Sequence, residues 1–136
     1  MTKIIHLKTS LFVAAMLALP LAQAATMAKA DYKAGKERIS AEYKTDKAAC
    51  DALSGNAKDI CVQEAKGKEK VAKAELEYSY TGKAKDQAKV EKAKAESTYD
   101  VAKEKCDDQA GNNKDACVKE AKAAKERALA DANGKS

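Results

Sequence analysis

Two stretches decide the fold: Cys50–Lys66, CDALSGNAKDICVQEAK, and Cys106–Lys122, CDDQAGNNKDACVKEAK. They lie at a constant offset of 56 residues. Extended outward, Tyr43–Ala74 aligns on Tyr99–Ala130 with 15 identities in 32 positions and no gap. Shared Ala and Lys alone cannot bring two Cys, a Gly and an Asn per copy into register, so the segment is an internal repeat. Each copy reads as an αα-hairpin. The first helix runs to about Leu53, Gly55 takes the left-handed conformation that ends it, and Asn56 is the expected N-cap of the next helix. Asp59 then places an acid near the new N-terminus. Gly111, Asn112 and Asp115 repeat this grammar. The bland alternative is a surface loop in one longer, kinked helix.

The cysteines discriminate between the two. Cys50 and Cys61 stand at equal distance from the Gly-Asn turn, so antiparallel helices put them at one height. Ala-rich helices pack about 8 Å apart with each Cα about 2.3 Å off its axis, which brings facing Cα atoms to roughly 4–5.5 Å, within disulfide reach. Cys106 and Cys117 repeat the arrangement. Four cysteines allow three pairings, and the repeat selects Cys50–Cys61 with Cys106–Cys117. Both spacings are far from C-x-x-C, which argues against a redox pair, and from the short ligand spacing of structural zinc.

Outward from the hairpins, residues 1–24 read as an export signal. Lys3 and Lys8 precede an apolar run, Leu11–Leu19, too short to span a bilayer, and Leu21–Ala24 ends in an A-x-A site. Residues 25–136 are then a helical repeat domain, with repeat 1 at about 39–78 and repeat 2 at about 95–134. The full chain has 136 residues and a net charge of +5. Its only His, Phe and Pro (His6, Phe12 and Pro20) fall in the signal, and Trp is absent. The mature chain thus has no imidazole for acid–base or metal chemistry. The expectation is no enzyme and no cofactor. Oxidised cysteines and export together point to the periplasm.

Twenty-five of the 112 mature residues are Ala, and Lys and Glu supply much of the rest. These are strong helix formers with no Pro between them. Only 11 large aliphatics occur in those 112 residues, so the core must be thin. Tyr32, Ile39, Tyr43, Cys50 and Leu53 keep helical spacing, and pairs such as Lys92–Glu96 suit a solvated face. The fold class expected is all-α: two disulfide-stapled αα-hairpin repeats joined by a long helical linker, as an elongated or thin helical bundle with coiled-coil-like seams. In the linker, residues 75–98, Tyr78-Ser79-Tyr80-Thr81-Gly82 predicts a break, with helix resuming at about Lys83 and running to Cys106. Its tyrosines form either an exposed aromatic patch or a packed and a half-exposed pair.

The motif CDxxxGNxKDxCVxEAK resembles that of small exported Ala/Lys-rich proteins of beta-proteobacteria, mostly uncharacterised and sometimes labelled TolA-like cell envelope proteins. The resemblance covers both repeats. The 136 residues hold neither the N-terminal membrane helix nor the globular C-terminal domain expected of TolA, so its function does not carry over. The first functional reading is a structural or interaction protein whose partner is an envelope protein or a cell-wall component. The alternative is a hydrophilic stress protectant, a class that usually lacks disulfides. Interleaved acids leave no basic stripe for nucleic acid, and no transmembrane segment is expected in the mature chain.

Overall fold

The computed structural model describes residues 27–134. The signal sequence expected at 1–24 lies outside the described residues. Four helices follow in order: α1 Lys29–Ala49, α2 Gly55–Thr81, α3 Ala84–Cys106 and α4 Gly111–Asn133, with a 3₁₀ turn at Cys50–Ala52. Helix accounts for 90% of the structure, there are no strands among the described residues, and the fold class is all-α as expected.

Among the described residues each helix packs only on its neighbours in the chain: α1 on α2, α2 on α3, α3 on α4. Short turns make successive helices antiparallel. The result is an open single layer with α2 and α3 inside and α1 and α4 as its edges. The linker expected at 75–98 is helical and is continuous with α2 and α3. The residues between the repeats form the end of α2 and the start of α3, and the hairpins meet at Gly82, whose φ of 62° ends α2. A left-handed residue there closes the last turn through its N–H to the Tyr78 carbonyl. The two hairpins therefore pack side by side.

The turns follow the repeat, with local corrections. The α-helical part of α1 ends at Ala49, and after the 3₁₀ turn Leu53 is extended at φ −101°, ψ 164°. That backbone turns Leu53 out of the seam, where it is 44% exposed. Gly55 and Gly111 do take positive φ, 58° and 56°. They open the following helices instead of closing the preceding ones. Ser54 and Ala110 hold the N-cap positions, neither with a side-chain cap. Asn56 and Asn112 are already inside their helices, so neither is an N-cap. Asp59 and Asp115 fall beyond the first turn, which carries no acid in α2 or α4.

The core is as thin as the composition requires. Among the described residues Ile39, Leu76 and Val90 are the only buried large aliphatics, helped by Ala65, Ala93, Ala95 and the half-cystines Cys50 and Cys106. Two mid-helix glycines explain how it closes. A Cβ on Gly35 would stand 2.7 Å from the Leu76 Cδ1, and one on Gly67 would stand 3.0 Å from the Ser97 Cβ. Gly35 thus lets α1 settle on Leu76, and Gly67 lets α2 and α3 approach closely. Glycine costs a helix interior about 1 kcal/mol against alanine, which this close packing offsets.

Candidate functional site

The antiparallel order puts both hairpin turns at one end of the layer. There Cys50–Cys61 and Cys106–Cys117 are bonded, with Cα separations of 5.6 and 5.7 Å. No cysteine is free among the described residues. A second clip repeats with the first: Lys58 pairs with Asp51 and Lys114 with Asp107, each at 2.9 Å. The Lys58 ammonium holds the Asp51 carboxyl below its ordinary range, and the Asp107 carboxylate raises Lys114. Both pairs are solvent-facing, so they set turn geometry more than stability.

Between the staples the hairpins are joined by polar contacts. The Asn56 amide donates to the Glu104 carbonyl at 2.9 Å, in the last turns of α3. That carbonyl also accepts from the Asp107 N–H at 3.0 Å, so Asn56 adds a second donor from the neighbouring hairpin at a helix end. Gln63 donates to the Glu104 carboxylate at 3.2 Å, and Lys105 pairs with Glu64 at 3.3 Å.

The opposite end carries the aromatic residues. Tyr32 stacks on Tyr80 with ring centroids 4.4 Å apart, and its hydroxyl donates to the Glu77 carboxylate. That bond, to an acceptor that is already charged, raises the Tyr32 phenol above its usual value. Tyr80 is packed on α1 through that stack, and Tyr78 and Tyr80 are both half-buried, so the two do not form an exposed patch. At the α2–α3 turn, Asp86 is buried at 2% exposure. It accepts from Lys89 at 2.8 Å and from the Thr81 hydroxyl at 2.6 Å, and these bonds hold its carboxyl low against the opposing cost of desolvation. An acid in the first turn of α3 also complements that helix N-terminus.

One broad face is apolar. A groove of about 710 Å³ runs between α2 and α3 over Gly67, Val71, Ala72, Ser97, Val101 and Ala102. Ion pairs cross it at both ends, Lys105–Glu64 and Lys94–Glu75. Among the described residues no cluster of three His, Cys, Asp or Glu side chains could hold a metal. No described helix is long and apolar enough to cross a membrane.

The repeat signal found the four cysteines and the two turn glycines. It missed Asp86, Glu104 and Tyr32, which act through partners distant in sequence or across a turn. Gly35 and Gly67 did carry a readable signal, since a glycine in a strong helical pattern asks for a packing reason. No protein-family profile, curated protein or solved structure matches this chain.

Proposed function

We propose that this is an exported, non-catalytic structural and interaction protein of the periplasm, whose partner is an envelope protein or a cell-wall component. One observation carries the reading: two local disulfides, 11 residues apart in sequence in each case, clip a highly polar helical layer. Such bonds persist in oxidising compartments. They fix the hairpins of a chain that has little aliphatic core, and a fixed surface is what recognition requires. The signal-like residues 1–24 and the resemblance of the repeated motif to exported envelope proteins point the same way.

The test uses oxidised residues 25–136 immobilised beside a reduced and alkylated control, each exposed to purified cell-wall sacculi and to periplasmic extract. Selective retention by the oxidised form is the expected result. No retention, together with equal protection of a drying-sensitive reporter enzyme by both forms, would establish the stress-protectant alternative instead. Export is checked separately: periplasmic material should have an intact mass that begins at Ala25.

A further inference from the structure

The helical layer has two free edges, and the repeat relates each to a face already buried inside the chain. The offset of 56 carries α1 onto α3 and α2 onto α4. The face of α2 that receives α3 therefore has a counterpart on α4. The face of α3 that receives α2 has a counterpart on α1. Neither counterpart meets another helix among the described residues.

We infer that α4 of one molecule docks on α1 of a second copy as α2 docks on α3, so that the chain associates head to tail. This goes beyond the proposed function and does not depend on it. The residues at the two edges carry the argument. A Cβ on Gly67 would stand 3.0 Å from the Ser97 Cβ across the α2–α3 seam, and the counterparts of the two, Ala123 and Ala41, keep both positions small and are exposed. Glu75 pairs with Lys94 across the α2–α3 seam at 3.5 Å. Their counterparts are Asp131 and Arg38, an acid and a base on the same sides. Asn56 donates to the carbonyl of Glu104, and Asn112 is retained to do the same to the carbonyl of Ala48.

Two positions depart from the buried pattern, and they depart together. Val71 lies one turn beyond Gly67 on α2, and Ala93 lies one turn before Ser97 on α3, so the antiparallel register sets them on the same level. Their counterparts are Arg127 on α4 and Glu37 on α1. A valine–alanine level inside the molecule becomes an arginine–glutamate level at its edges. Arg38 and Arg127 are the only two arginines among 26 basic residues. Both stand where a second copy would present a carboxylate. Arginine's planar fork suits interfacial carboxylates better than lysine's point charge. Among the described residues Glu37, Arg38, Arg127 and Asp131 are exposed and make no ion pair.

The direction of the helices also fits. α1 runs as α3 does and α4 as α2 does, so docking α1 of the next copy on α4 continues the alternation and keeps every staple at one end. Two different faces meet, which makes the contact heterologous and open-ended. Nearest-neighbour stacking of this kind is the assembly logic of helical repeats. Because an exposed arginine–glutamate pair replaces the valine–alanine level, the contact is expected to be salt-sensitive.

Sedimentation velocity of oxidised residues 25–136, over about two decades of concentration at low ionic strength, tests this. The weight-average mass should climb past that of a dimer and fall back with added salt. Arg127→Glu and Glu37→Arg should each lower the association constant by about tenfold or more, and the Glu37→Arg/Arg127→Glu double variant should recover to within about threefold of the parent. Far-ultraviolet circular dichroism should be unchanged throughout, since the altered side chains are exposed. A monomer at every concentration, a mass that stops at the dimer, or a double variant no better than the singles would overturn the inference. So would loss of association on Val71→Ser with Arg127→Glu silent, which would move the contact to the α2–α3 groove.

Discussion

Removing the staples one at a time should reveal that the two hairpins, alike in covalent design, differ in what else holds them. The perturbation is the pair of double variants Cys50→Ala/Cys61→Ala and Cys106→Ala/Cys117→Ala, which leave no unpaired thiol. Each bond joins residues with a sequence separation of 11. In the chain-entropy treatment a closed loop of that size restricts the unfolded chain by about 3 kcal/mol. A domain of this length has a total stability of about 5–15 kcal/mol, so either loss should lower the melting temperature by about 12 °C if unfolding stays two-state.

The packing says that only the first will stay so. Without Cys50–Cys61, α1 is still held on α2 by Leu76 over Gly35, by buried Ile39 and by the Tyr32–Tyr80 stack. Without Cys106–Cys117, α4 keeps one buried residue of its own, Ala132, and the Lys125 ammonium 4.1 Å from the Tyr99 ring centroid. A lone helix of that length is marginal in water. The second double variant should therefore release α4 before the rest unfolds. Urea titration by circular dichroism should show an early step equal to the 23 residues of α4, and hydrogen exchange should show α4 amides exchanging first. Losses below about 1 kcal/mol in both variants, or α1 exchanging ahead of α4, would refute the reasoning.

Gly67→Ala should destabilise despite its gain of about 1 kcal/mol in helix propensity, because the Ser97 Cβ at 3.0 Å is fixed to its backbone and cannot swing aside. Gly35→Ala meets only the mobile end of Leu76 and should be close to neutral; thermal melts compare the two. Asn56→Ala should cost about 1 kcal/mol by loss of its bond to the Glu104 carbonyl, while Asn112→Ala, which has no such partner among the described residues, should leave monomer stability unchanged in urea titration. Hydrogen bonds from Lys89, Lys58 and Lys70 hold the carboxyls of Asp86, Asp51 and Glu96 below their ordinary values. A depressed acid stabilises fully above its unfolded pKa and loses that contribution as pH falls through the folded value. Melting temperature should thus hold from neutral pH to about 5 and drop below about 4, with Asp86→Asn flattening part of the drop.

The hairpins were legible because everything that specifies them is local and stated twice. Cys, Gly and Cys at fixed spacing leave one economical geometry, and the turn at Gly82 announced itself by a glycine after a polar, aromatic helix end. What could not be read depended on neighbours distant in sequence. Asn56 satisfies the local pattern of an N-cap, yet its amide serves a carbonyl 48 residues away. Leu53 continues the helical stripe of α1 in sequence, but the chain leaves the helix before reaching it. Tyr80 gave no sign of its partner because Tyr32 lies outside the repeat.

The places where the repeats differ carry as much physical information as the places where they agree. Within the first hairpin a glycine, Gly35, faces a leucine, Leu76. At the same level of the second hairpin the sizes are exchanged: Glu91 stands in place of Gly35 and Ala132 in place of Leu76, and the two line a common surface. Side-chain bulk moved from one helix to its partner, and it changed character as well, since Leu76 is buried while Glu91 is exposed. Val71 with Ala93, against Arg127 with Glu37, is the same kind of paired change, with charge added on both sides at once. Inside the layer that level is covered by neighbouring helix and is apolar. At the edges it must be tolerated by water in the lone molecule and still be complementary to a second copy, and an arginine facing a glutamate meets both demands where a valine facing an alanine would not.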